Sequence, residues 1–328
     1  MSSENAPDYR LYKLAASWGL PSASPSCVRV EAYLRLAKVD VAAEECVNAS
    51  TSPSSQLPAL EHGIDIVEGA GDETASAEAI IAYLKQHGHD LDSGLSAAQK
   101  ADVLAFTALV ERRLEPATAY TMWCEKQSYT AHTRAVYGAG LPLPLNYWLP
   151  WSQRRAALRR FSNVTGPQVY GEAAAVYAAL DQRLQSERGG MFFFGSRPSS
   201  LDALLFSHLS YQLGAPSSAP ELRQALSERR ALTAYVERIS QDVFSTQLPK
   251  APAIMTAEWA QRAEEAAAPS STREKKEVSK KDAEWSKGNK LWLAGAGMAT
   301  LAYFVLSGQY ISIATDWGYD EEGDDEIE

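Results

Sequence analysis

MFFFGSRPSSLDALLFSHL, residues 191–209, is the stretch on which the fold turns. Ser199 stands three residues before Asp202, the spacing of a capping box. In that motif the serine oxygen takes the Asp202 backbone N–H and the carboxylate reaches back to the N–H of Ser199. The helix that follows, Leu201 to Leu213, is nearly all apolar, as a helix buried on every side must be. Upstream and downstream of it the helical period dominates. Helices are expected over Ala97–Leu114, near Ala117–Ala135, and over Ser152–Phe161, Gly171–Ser186 and Ala219–Gln241. In the first of these, Leu104, Ala108 and Leu114 form the expected buried stripe. Between the second and third, residues 141–150 (LPLPLNYWLP) hold three prolines among apolar and aromatic side chains and read as non-helical. Residues 96–248 are therefore expected to form an all-helical domain.

Residues 8–92 read differently. Tyr9–Ala15 alternates as a strand, and Cys27–Lys38 places Cys27, Val30, Tyr33, Leu34 and Ala37 on one helical face. A strand within Val39–Val47 follows, then Leu57-Pro58-Ala59-Leu60, a short strand at Ile64–Val67, and a helix around Ala75–Gln86 whose buried face holds Ile80, Tyr83 and Leu84. The order β-α-β-β-β-α, with a proline entering the third strand, is the thioredoxin-like plan. The fold class is α+β, a thioredoxin-like domain followed by an all-α domain.

Composition changes after Pro249. Residues 249–290 read as a charged linker. Residues 291–314 (LWLAGAGMATLAYFVLSGQYISIA) carry no charge over 24 residues, about 36 Å as a helix, enough to cross a hydrocarbon core of about 30 Å. The other reading is a buried core helix holding Gly295, Gly297, Ser307, Gly308, Gln309 and Ser312. The flanks favour the span. Arg273–Lys290 has seven Lys/Arg against four Asp/Glu, a basic shoulder that keeps its side cytosolic, and the acidic tail, residues 315–328, holds eight acids and no base. Gly295 and Ala299 form a small-x-x-x-small pair suited to helix packing in a bilayer.

The tail accounts for most of the net charge of −10, so overall acidity says little about the folded part of this 328-residue chain. The start, MSSENAPDYR, has no signal-peptide run and is unlike an Arg-rich presequence. Cys27, Cys46 and Cys124 are three in number and widely spaced, which argues against a disulfide framework and for a reducing compartment. The histidines show no ligand spacing and no C-x-x-C pair occurs, so no metal site is expected; His87 and His89 read as a solvated helix end. No basic stripe with interleaved aromatics points to nucleic acid.

An α/β half followed by a helical half resembles the glutathione-transferase fold, on the strength of Leu57-Pro58-Ala59-Leu60, where that fold has a cis-proline turn, and of Ser199–Asp202 at the start of its central helix. The closer resemblance is to metaxins. Residues 191–209 look like their FFFG…SLDA…FSHL block, Leu141–Pro150 with Arg154, Arg155, Leu158 and Arg159 like their proline-aromatic segment, and Leu104–Leu109 with Tyr120–Trp123 like their LAF…YTFW. A tail anchor after a charged linker resembles the plant-type branch.

That resemblance implies an accessory subunit of the sorting and assembly machinery of the mitochondrial outer membrane, which inserts β-barrel proteins. The bulk would face the cytosol and the C-terminal tail the intermembrane space. Implied partners are the machinery's β-barrel core subunit and other metaxin-type subunits, with import receptors or β-barrel precursors as further candidates, and the lipid bilayer. Neither cofactor nor catalysis is implied. In transferases the glutathione site uses a residue near the first helix start, the cis-proline, and a Glu/Gln-Ser pair just before A-I-x-x-Y-L. The corresponding positions are Ser24, Pro58, Ser76 and Ala77, so the carboxylate is lost and the site reads as vestigial, with Cys27 on a buried face. Tyr147, Trp148, Trp151, Arg154, Arg155 and Arg159 form the candidate interaction surface, for an acidic loop or lipid headgroups. Two alternatives remain at this stage: a tail-anchored glutathione-transferase-like enzyme, and a tethering or membrane-shaping protein like the ganglioside-induced differentiation-associated family.

Overall fold

The structure is a computed structural model that describes residues 8–186 and 190–245. The linker, the apolar segment with Gly295 and Ala299, and the acidic tail lie outside the described residues. Strand β1 (Tyr9–Leu14) runs parallel to β2 (Val41–Cys46) and antiparallel to β3 (Ala59–His62), which pairs antiparallel with β4 (Asp65–Val67). The sheet order is β2-β1-β3-β4. Helix α1 (Pro25–Leu36) links β1 to β2, and α2 (Glu73–Gln86) follows β4. The Leu57–Pro58 bond is cis.

Central strand β1 departs from simple alternation because Lys13 is buried along with its neighbours. Its ammonium lies 2.8 Å from Glu31 of α1, itself buried and also held by Arg35 at 2.8 Å. The pair neutralises two charges that could not otherwise be withdrawn from water.

The helical half starts with α3 (Ala97–Ala119), whose N-terminus Ser96 and Gln99 close with a capping box. It does not stop near residue 114 but continues through Pro116. Two π-helical turns, Tyr120–Cys124 and Tyr129–Thr133, then alternate with the short helices α4 (Lys126–Ser128) and α5 (Arg134–Tyr137). The expected buried stripe of α3 is rotated: Leu104 is 75% exposed and Ala108 exposed, while Val103, Val110, Leu114 and Ala117 are buried. Apolar residues surround that helix, so periodicity alone could not choose the face that meets its partners, α7 (Gly166–Ser186) and α8 (Ser200–Gly214). The span expected as one helix from Ala219 breaks into α9 (Pro220–Ser227) and α10 (Arg230–Phe244) at Glu228–Arg229.

Helix α8 is the centre, with every residue from Leu201 to Gln212 buried. Its Ser199–Asp202 box is present. Asp202 accepts the N–H of Ser199 at 2.7 Å, that of Phe193 at 2.8 Å and the hydroxyl of Tyr235 at 2.7 Å. The residue that starts the helix thus also ties down the FFF loop and α10. Asp92, on the connection between α2 and α3, accepts the N–H and hydroxyl of Ser200 and the ammonium of Lys85.

The proline-aromatic segment corrects the sequence expectation. Helix α6 spans Leu145–Arg160, with Pro150 inside it. Pro150 cannot donate to the Asn146 carbonyl one turn back. That carbonyl instead faces Gly138, where a Cβ would lie 2.5 Å from it, so the backbones approach closely. The helix survives because the first two prolines, 142 and 144, precede its first turn, where no N–H donor is needed.

Candidate functional site

The N-termini of α1 and α2 converge at a cavity of about 650 Å³ between the sheet side and the helical half. Ser24 is the N-cap of α1: its hydroxyl oxygen accepts the N–H of Cys27 at 3.3 Å and its proton goes to the Glu73 carboxylate at 2.5 Å. Glu73 is the first residue of α2, capped by Asp72, whose carboxylate accepts the N–H of Ala75 at 2.9 Å. The helix therefore starts at Glu73, two residues before the expected start at Ala75 and three before Ser76.

That shift relocates the site. Ser76 and Ala77 are fully buried and do not line the cavity. Ser76 Oγ is occupied by Gly69, accepting its N–H at 3.2 Å, and by Gln56 at 3.3 Å. Gly69 packs so close to α2 that a Cβ there would collide with the Ala75 carbonyl. Gly71, Asp72, Glu73 and Thr74 face the cavity instead. A carboxyl group is thus present, three residues earlier on the same helical face, where sequence alignment to A-I-x-x-Y-L could not find it. Pro58 is not on the cavity wall, while Leu57, Pro25 and Ser26 are.

The electrostatics follow from depth. Glu73 lines the cavity, and burial pushes its carboxyl up to about 7, against the pull of the Ser24 hydroxyl and with a further push from Asp72. Burial, with Glu73 nearby, raises the Cys27 thiol to about 12, and its sulfur accepts the Leu14 N–H at 3.5 Å. A thiol so placed is protonated at neutral pH and a poor nucleophile. On the far wall, burial and Arg29 lower His208 to about 3, so it is neutral; it pairs with Thr118 at 3.2 Å. The rest of the lining is mainly apolar, including Met122, Trp123 and Phe161. Arg160 reaches the rim but is held bidentately by Glu115 at 2.6 and 2.9 Å. Among the described residues no group of three His, Cys, Asp or Glu is placed to hold a metal.

Helix α6 forms one wall of the cavity with Leu149, Gln153, Ala156 and Ala157, and turns its other side outward. Of the predicted surface, Tyr147, Trp148 and Trp151 are 55, 56 and 49% exposed, and Arg155 and Arg159 are exposed beside them. Leu158, absent from the predicted surface set, joins them at 46%. Arg154 does not belong to this face: its guanidinium lies 4.5 Å over the Tyr129 ring and donates to the Cys124 carbonyl at 3.3 Å.

Residues 27–154 match the family described as outer mitochondrial membrane transport complex protein, and residues 173–239 match the glutathione S-transferase C-terminal domain. Metaxin-1 of Homo sapiens is 33% identical over 245 residues, which cover 71% of this chain and 51% of that protein, so the chain spans about half its length. Metaxin-1 of Mus musculus is also 33% identical, covering 71% of this chain and 74% of the relative. Among solved structures, glutathione transferase GSTFuA3 from Phanerochaete chrysosporium superposes with a TM-score of 0.50 at 14% identity, covering 72% of this chain and 96% of that one. That likeness establishes a glutathione-transferase-like fold and nothing about activity. With a Metaxin-1 one-third identical over about three-quarters of its length, the chain belongs to the metaxin family.

Proposed function

We propose that the chain is a non-enzymatic subunit of a mitochondrial outer-membrane transport complex. In this reading it is an accessory subunit of the sorting and assembly machinery, bound to that machinery's β-barrel core subunit and to other metaxin-type subunits. The apolar segment 291–314 anchors it in the outer membrane, with residues 8–245 in the cytosol and the acidic tail in the intermembrane space. The family match over residues 27–154 supports the location and the transport role. The observation that carries the non-enzymatic part is the Ser24–Glu73 contact. Ser24, at the position that polarises the thiol in transferases, is fully buried, does not line the cavity, and already gives its proton to the protein's own carboxylate at 2.5 Å. A substrate thiol would have to break that bond, and Cys27 offers no thiolate in its place.

The test is co-purification of the full chain from mitochondria in mild detergent, with partners identified by mass spectrometry. Recovery of a β-barrel assembly subunit at near-stoichiometric yield is expected; its absence from a preparation that retains other outer-membrane complexes would refute the reading. The cavity of about 650 Å³ keeps a transferase reading testable. Calorimetry with glutathione and turnover of a generic electrophile should both be null. A dissociation constant in the micromolar range that Ser24→Ala abolishes would make the enzyme reading the leading one.

A further inference from the structure

Helix α6 turns large apolar and aromatic side chains outward together with arginines. Pro150 is its one buried residue, and the side it turns to the cavity is the less bulky one. At about 100° per residue, Tyr147, Trp148, Trp151, Arg155, Leu158 and Arg159 all fall within an arc of about 120° on the outer side. Four of these are large apolar or aromatic side chains, each about half exposed. Arg155 lies 5.4 Å over the Trp151 ring, and Arg134 lies 5.4 Å over Tyr147. From residue 126 to 171 the chain has six Lys/Arg and no acid, inside a protein of net charge −10.

We propose that this face is a membrane-docking surface: the rings and Leu158 enter the interfacial region of an anionic bilayer while Arg155 and Arg159 bind lipid phosphates. Tryptophan, tyrosine and arginine are the side chains that settle at that level, each with an apolar body and a polar end. A basic, aromatic helix face lying in the plane of the membrane needs anionic lipid opposite it, and the absence of acid over this segment supplies the complementarity. The chain beyond Ser245 supports the same partner. It continues for 83 residues and includes the uncharged 291–314 run. This argument rests on the anchor reading above. An anchored chain already sits at the bilayer, so docking of α6 is an intramolecular step and a modest affinity suffices. The intervening 45 residues can extend to about 150 Å, so they do not hold α6 away from the surface.

The experiment uses the full chain in lipid nanodiscs, with Cys124→Ser and a bimane on Leu158→Cys. A second preparation labels Ile64→Cys, which is 98% exposed in the β3–β4 turn. With phosphatidylserine present, brominated acyl chains should quench the label at 158 and spare that at 64. Quenching should fall in phosphatidylcholine discs and in about 1 M salt, where the Debye length shrinks to ~3 Å. Each arginine lost should lower the docked fraction's equilibrium constant about fivefold, so Arg155→Gln with Arg159→Gln should cost about 25-fold. Trp148→Ser with Trp151→Ser should abolish quenching. A label at 158 that iodide reaches freely in every disc overturns the proposal. So does one shielded from iodide yet never reached by brominated chains, which would assign the face to a protein contact. If the chain fails to integrate at all, the anchor reading falls separately, and co-sedimentation of the same chain with phosphatidylserine vesicles decides the face. Pelleting that the double tryptophan variant loses sustains it, and no pelleting overturns it.

Discussion

Glu73 sits where two helix N-termini meet, with a carboxyl raised from an ordinary 4.5 to about 7 by burial. Below about pH 4.5 the folded and unfolded chains both hold this proton, and its contribution to stability is complete. Between about 4.5 and 7 the unfolded chain loses the proton while the folded one keeps it, so stability falls as pH rises and then levels. The group can cost up to about 3 kcal/mol at pH 8 relative to pH 4.5. Glu73→Gln keeps an acceptor for Ser24 and removes the titration. The variant should therefore be more stable than the parent at pH 8 and close to it at pH 5. Parallel urea-midpoint curves for the two proteins across that range would contradict the assignment. Ser199 gives a second test at this scale: Ser199→Ala should cost about 0.5–2 kcal/mol, the usual loss for an N-cap, and lower the global urea midpoint because α8 is central. An unchanged midpoint would mean the cap contributes nothing. The two sites differ in legibility for a physical reason. Ser199 and Asp202 are three residues apart and their bond is local, so spacing alone points to it. Glu73 meets Ser24 across 49 positions, and its place at the start of α2 is set by the Asp72 cap and not by the A-I-x-x-Y-L spacing.

Helix α6 shows where local rules misled. Three prolines in ten residues predict no helix, yet two of them precede its first turn and the third leaves one carbonyl without a donor. That carbonyl is accommodated because Gly138 has no Cβ. Gly138→Ala would place a Cβ 2.5 Å from the Asn146 oxygen and 2.8 Å from that of Arg134. Both neighbours are backbone and neither can swing aside, so the substitution should cost about 1–3 kcal/mol. A thermal midpoint unmoved by Gly138→Ala would show that the α5–α6 approach is looser than described. The rotated face of α3 and the break between α9 and α10 have the same origin. Propensity and period describe a helix in isolation, and partners from distant sequence choose its buried side and its ends.

At the scale of the whole molecule, the β-α-β-β-β-α order and the change to a helical half were readable, while the broken stretches at 120–137 and 228–229 were not. The switch from short alternating strands to long helical periods near residue 96 marks the change from sheet to bundle, and the apolar Leu201–Leu213 run identifies the central helix. The buried Lys13–Glu31 pair was not readable, since a lysine in a strand ordinarily points to water. The anchor reading makes its own prediction. A chain ending at Lys290 should be folded and remain in the supernatant after alkaline carbonate treatment, while the full chain pellets with the membrane. If the shortened chain also pellets, residues 291–314 are not what holds it there.

One wall of the cavity and the outward aromatic face are opposite sides of the same sixteen-residue rod. Two ligands that both displace a shared rigid body cannot ignore one another. Suppose a small molecule in the cavity tilts α6 and thereby changes the grip of Trp148 and Trp151 on their target by some factor. Thermodynamic reciprocity then requires that target to change the small molecule's affinity by the same factor. The cleft would then act as a dial on an adhesive surface, the two joined through a single helix.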